Sequence, residues 1–201
     1  MYIPKEFQIT DSKEIIDFAQ NHPFGVLIQS GDIEPIGTHL PFLFVEKEDQ
    51  FIAEGHIARA NPHCNFIRTG KTALIILTGP NGYISSSVYT HQNVPTWNYQ
   101  AVHIYGTLET MTDVELIEHL NQIVDKFEDP RTEKLELASL PQEMLEAYRK
   151  EIVGFRLTAY RTEAAFKLSQ NRNEIDHQRI IEDLDQCPMN KDLIAAMKKF
   201  R

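Results

Sequence analysis

Between Phe24 and Thr110 the chain is a succession of short β-rich runs, FGVLIQS, PIGTHLPFLFV, QFIAEGH, KTALIILTG and NYQAVHIYGTLET, punctuated by Gly and Pro. No long helical pattern separates them, and this is the strongest constraint on the fold. Parallel strands need a crossover of about a dozen residues, usually a helix. Strands this close together therefore pair antiparallel, as a sheet or a barrel. In the last run Val102, Ile104 and Leu108 alternate with His103, Tyr105 and Thr107, so one face meets a core. A further run, IVGFRLTAYRT from Ile152 to Thr162, returns to the sheet after a helical interval.

Helical signals flank the strands. Asp11 and Glu14 have capping-box spacing, and Ile15, Ile16, Phe18 and Ala19 follow before His22-Pro23 ends the pattern. Thr112 and Glu115 open the clearest helix, with Leu116, Ile117, Leu120, Ile123, Val124 and Phe127 at helical spacing. Ser139 and Gln142, with Pro141 in the first turn, open another through Met144, Leu145 and Tyr148. Polar helices around Ile180 to Leu184 and Leu193 to Met197 close the chain. The expected class is mainly β (α+β): an antiparallel sheet or barrel with flanking helices and a C-terminal helical tail.

At 201 residues and 42% hydrophobic content, one domain is the expectation. A net charge of -9, from 20 basic and 29 acidic residues, opposes a phosphate backbone, and no basic run offsets it before the terminal KKFR. No apolar run reaches membrane-spanning length and no signal-peptide layout opens the chain, so the expectation is a cytoplasmic protein with no membrane partner. Cys64 and Cys187 lie far apart in sequence and no bridge is expected.

The stretch GHIARANP and the HCN after it concentrate polar chemistry. His56, His63 and Cys64 do not match established zinc spacings, and no metal is assigned. Cys64 beside His63 has no sequence signature of a nucleophile and reads as a buried thiol. An anion cradle fits better: Gly55 and the alanines permit close backbone approach, Arg59 can grip a phosphate bidentately, and His56 and Asn61 stand beside it. Local sequence leaves open, at even weight, a plain Asn61-Pro62 turn with Arg59 in solvent. GTHLPFL, with Thr38 and His39, and GPNGYISSSVY, with Ser85, Ser86, Ser87 and Tyr89, read as a strand and a loop with donors for a planar heteroaromatic ligand. Trp97 reads as a core or subunit-interface residue. Lys167 and Gln170 either close over an anion, or belong to a segment where Ser169 or Asn173 merely caps the next helix.

Taken together, MYIPKEF, THLPF, GHIARANP, GPNGYISSS, VPTWNYQAVHIYG, IVGF and KLSQNRNE resemble the PaiB family of FMN-binding negative transcriptional regulators, in the family's order from Met1 to Glu174. The resemblance implies an FMN-binding split β-barrel over residues 1–174, with residues 175–201 as a helical tail packed on the same domain, and a homodimer with flavin sites between subunits. It assigns the FMN phosphate to Gly55, His56, Arg59 and Asn61, the ring region to Thr38 and His39, and further contacts to Ser85, Ser86, Lys167 and Gln170. The chain departs from the family pattern at Cys64, Asn81, Gly82, Ser86 and Val88, losing two aromatic surfaces. If those rings wall the flavin pocket, FMN is held weakly here or not at all.

The function implied is repression of degradative-enzyme and sporulation genes, linked to flavin or redox state. No helix-turn-helix with a basic recognition helix is visible, so promoter DNA is reached directly only against the charge; a regulatory partner protein or metabolite is the other route. The alternative is a flavin-dependent oxidoreductase or flavin reductase, whose hydride chemistry would belong to the cofactor. Haem binding by a related barrel is a third reading, with no diagnostic histidine motif to carry it.

Overall fold

The β-rich runs become strands of one sheet. The computed structural model describes residues 1–47, 50–67 and 70–201. Its strands are β1 (Gln8–Ile9), β2 (Phe24–Ser30), β3 (Pro35–Pro41), β4 (Leu43–Lys47), β5 (Gln50–Ala58), β6 (Thr72–Ile84), β7 (Thr96–Thr110) and β8 (Ile152–Lys167). They lie in the order β3-β2-β6-β7-β8-β5-β4, with β1 added to β8, and β2 with β3, β4 with β5, and β5 with β8 pair antiparallel. The helices are α1 (Ser12–Asn21), α2 (Cys64–Ile67), α3 (Asp113–Glu128), α4 (Gln142–Lys150), α5 (Glu174–Leu184) and α6 (Lys191–Lys199).

These elements gather into two compact units: a barrel unit of Ala19–Ile76 and Ile104–Thr162, and a terminal unit of Met1–Phe18, Leu77–His103 and Glu163–Arg201. β6, β7 and β8 are long enough to give a stretch to each. In the barrel unit the sheet curls until β3, at one end of the strand order, approaches β5 near the other. Gly55 marks that approach: a Cβ there would stand 2.9 Å from both Leu40 Cδ1 and Phe155 Cζ. The result is an antiparallel half-barrel with its core inside the curl, where Phe42 meets Phe44 and Phe155 at ring-centroid distances of 5.8 and 6.3 Å. In the terminal unit Phe166 packs between Phe18 and Phe200, each 5.0 Å away, and Leu184, Leu193 and Met197 bury the inner sides of α5 and α6.

The Thr112 and Glu115 capping box forms as expected, and Val102, Ile104 and Leu108 are fully buried on one face of β7. Ser139 does not cap α4: its hydroxyl turns back to the Glu136 carbonyl, and the helix starts after Pro141 without a side-chain cap. GPNGYI is not loop but the second half of β6, because pairing in the sheet overrides the turn preference of Gly and Pro. The buried phase of β6 shifts across Gly79-Pro80, from Ala73, Ile75 and Leu77 to Gly82 and Ile84. On α3 the stripe is narrower than its apolar pattern, since Ile117 and Phe127 stay exposed while His119 is buried.

Candidate functional site

The turn after β5 is built in layers. Arg59 follows the strand directly, and its backbone N–H donates to the Glu151 carbonyl at 2.7 Å. Its side chain then reaches the same corner, where α4 gives way to β8: Nε donates to the Lys150 carbonyl at 2.7 Å and Nη2 to the Ile152 carbonyl at 2.9 Å. The guanidinium is thus fixed in place although Arg59 is exposed, and its remaining donors have no acceptor among the described residues. The guanidinium ties the turn to this corner while staying at the surface.

Thr38 and Asn61 form the next layer. Asn61 Nδ2 donates to Thr38 Oγ1 at 3.2 Å, its Oδ1 accepts from the His63 backbone N–H at 2.9 Å, and Thr38 Oγ1 lies 2.9 Å from His63 Nδ1. His63 is fully buried with Nε2 unpartnered among the described residues, and burial lowers its pKa. These bonds close the Asn61-Pro62 turn onto β3. His39, one residue on from Thr38, faces the other way, exposed against the Phe24 ring. Gly55 lies under Leu40 and Phe155, so the close approach it permits is to core side chains. Cys64 is buried, its Sγ 3.3 Å from the Ala58 carbonyl.

His56 belongs to a second network that the sequence did not show. Its Nδ1 is 3.2 Å from Nε2 of His119, which α3 buries to 1% exposure. His119 Nδ1 in turn faces Glu54 Oε2 at 3.7 Å, and Arg156 holds Glu54 Oε1 with Nε and Nη2, both at 2.9 Å. Arg156 Nη1 continues to Glu115 at 3.0 Å, which ties the α3 capping box to the pair. Glu54 and Arg156 are cross-strand partners, and His56 lies opposite Gly154. A Cβ at Gly154 would come within 2.9 Å of Leu116 Cδ1, so the missing side chain lets α3 settle on the strand and carry His119 to His56. Burial by itself raises the Glu54 pKa; His119 and Arg156 outweigh it and hold the carboxyl below its ordinary value. Burial, and then the charge of His119, push the His56 imidazole down to about 4. The available signal was weak: a histidine three residues after Leu116 in an apolar helix pattern.

The other expected residues lie in the terminal unit. Ser85 caps a short 3₁₀ turn, accepting from the Ser87 backbone N–H at 3.2 Å, and Ser86 is half-buried in that turn. Lys167 bonds Thr96 Oγ1. Gln170 spends its amide locally, accepting from the Leu168 N–H at 2.7 Å and donating to the Phe166 carbonyl at 2.6 Å. Asn173 caps α5 while Ser169, at φ 61°, bonds Asn98, so the capping role falls to the asparagine. Trp97 is not a core residue: it is 51% exposed, with Nε1 donating to Asn81 Oδ1. A cleft of about 250 Å³ in the barrel unit, lined by Gln29, Tyr105 and Tyr160 among others, includes none of the expected site residues.

The antiparallel half-barrel with flanking helices is a split-barrel fold. Solved structures agree: the FAD and heme binding protein of Mycobacterium smegmatis aligns with a TM-score of 0.60 at 16% identity, over 80% of this chain and 73% of that one. The flavocytochrome Anf3 of Azotobacter vinelandii aligns with a TM-score of 0.58 at 12% identity, over 88% and 78%. At those identities the likeness is one of fold. The chain belongs to the family described as "Putative FMN-binding domain", which it matches over residues 1–161. It is 40% identical to "Protease synthase and sporulation protein PAI 2" of Bacillus subtilis, over 98% of this chain and 97% of that protein. These matches bear out the PaiB resemblance. Among the described residues no helix is long and apolar enough to cross a membrane.

Proposed function

We propose that this protein binds FMN at the turn after β5 and acts as a flavin-linked regulator that lowers expression of degradative-enzyme and sporulation genes. The observation that carries the regulatory part is the 40% identity, over 98% of this chain, with the Bacillus subtilis protein whose name includes sporulation. The flavin part rests on family membership and on Arg59, whose fork is oriented by two carbonyls and still has donors to spend on a phosphate. Thr38 and Asn61 shape the turn, and FMN would supply redox-active ring chemistry when bound. With a net charge of -9, regulation runs through a partner protein or a metabolite in preference to direct promoter contact. The functional unit is a homodimer.

The experiment is an absorbance scan of the purified protein before and after mixing with FMN and desalting. Near-stoichiometric retention supports the reading. Arg59→Gln is expected to weaken FMN about 10-fold to 100-fold, as one charge-assisted hydrogen bond contributes about 1.5–3 kcal/mol. Unchanged affinity in that variant removes Arg59 from the site. Bleaching of bound flavin by NADH would favour a reductase, and a salt-sensitive shift of promoter DNA would favour direct contact.

A further inference from the structure

We propose that Glu54, His119 and His56 form a relay that holds His56 in its Nδ1–H form, leaving Nε2 bare, so that this position accepts an N–H or O–H donor of a bound ligand and does not hold its phosphate. The ligand's identity as FMN rests on the reading above; the state of the histidine does not.

Arg156 fixes Glu54 as a carboxylate through two contacts of 2.9 Å. That carboxylate faces Nδ1 of a fully enclosed histidine at 3.7 Å. The distance is too long for a hydrogen bond, and Nδ1 has no other partner among the described residues, but the negative charge favours the tautomer of His119 with its proton on Nδ1. His119 Nε2 is then a bare acceptor. It lies 3.2 Å from His56 Nδ1, and a neutral pair at that distance needs one proton between the two nitrogens, so His56 supplies it. What remains on His56 is a lone pair at Nε2. The charged and titratable groups set around His56 are Glu54 on its own strand, His119 and Glu115 on α3, and Arg156 on β8. Burial keeps the His56 imidazole uncharged at neutral pH. An uncharged ring with a bare nitrogen repels a phosphate oxygen and accepts a hydrogen-bond donor, such as the N–H edge of a heteroaromatic ring. If the ligand gives up that proton, it moves to His56 Nε2, the Nδ1 proton passes to His119 Nε2, and the imidazolium so formed lies beside the Glu54 carboxylate.

The test is ¹⁵N NMR of the intact, uniformly labelled chain, with His56 among the eight histidines assigned from the signal lost in His56→Asn. At about pH 8, where an ordinary imidazole is neutral, the expected result is a protonated Nδ1 and a bare Nε2. A proton on Nε2, or ordinary titration near about pH 6.5, overturns the proposal. His119→Phe is expected to release His56 to a mixture of tautomers, and His119→Gln, which restores an acceptor, to recover the Nδ1–H form. No change in either folded variant overturns the relay; if both fail to fold, the parent spectrum decides. Added FMN should shift Nε2 and inorganic phosphate should not. An equal shift with phosphate overturns the proposal, as does bound FMN that leaves Nε2 unmoved. FMN that fails to bind while the bare nitrogen is in place removes the flavin reading and leaves the acceptor site standing.

Discussion

Replacing Arg156 with methionine removes the cation from a carboxylate that has only 6% of its side chain exposed. Breaking a buried pair from one side costs about 3–5 kcal/mol, because the remaining charge stays in a poorly solvated place. Here a quarter of the Arg156 side chain reaches solvent, which screens the pair, and His119 still faces Glu54. The expected loss is therefore nearer about 2 kcal/mol. With an m-value of about 2 kcal/mol/M, the urea midpoint falls by about 1 M at pH 8. The sign with pH follows from the carboxyl. In the parent its folded pKa lies below the ordinary value, so its stabilisation is present above the ordinary carboxylate range and lost as pH falls through the lowered folded value. In the variant the lowering by Arg156 is gone, so the carboxyl moves up from its parent value and the gap to the parent narrows as pH falls toward about pH 5. Adding Glu54→Leu should recover most of the midpoint, since an apolar pair of similar volume replaces an ion pair at little cost. A midpoint shift below about 0.3 M, equal at both pH values, would refute the claim that Glu54 depends on Arg156.

Thr112→Ala removes the N-cap of α3 and should cost about 1 kcal/mol in denaturant unfolding, with its effect felt at Glu115, which the Thr112 backbone and side chain and then Arg156 hold at about 2. Gly106→Ala places a Cβ 2.3 Å from Leu157 Cδ2 and 2.4 Å from the Thr158 carbonyl. Because a backbone atom must move, the loss should reach about 3 kcal/mol, and a midpoint within error of the parent would show that β7 and β8 shift freely. Asp176 accepts from the Thr90 N–H and hydroxyl, both at 2.8 Å. The Thr90 backbone bond leads the causes that keep its carboxyl below the ordinary value. Its contribution is present above the ordinary carboxylate pKa and lost as pH falls through the lowered one; Asp176→Ala should speed amide exchange at Thr90 and in the first turn of α5.

Much of the architecture was legible because it is local. Alternation in β7 and the Thr112 and Glu115 pair are decided within a few residues. Where local chemistry was ambiguous the reading failed. GPNGYI has the composition of a turn, yet neighbouring strands supply backbone partners and extend it. Trp97, read as a core or subunit-interface residue, is not in the core of this chain, because its strand face is exposed. The site divides in the same way. Arg59 is visible in sequence, but the carbonyls that aim it come from Lys150 and Ile152, 91 and 93 positions further along the chain. Glu54, Glu115, His119 and Arg156 are scattered along the chain, and no spacing links them. They meet because antiparallel register sets Glu54 against Arg156 and Gly154 leaves room for α3 to bring His119 onto His56. The alternation in β7, the α3 capping box and the family follow from short-range pattern, whereas the sharing of buried charges in one network depends on where register and helix packing place residues far apart in the chain.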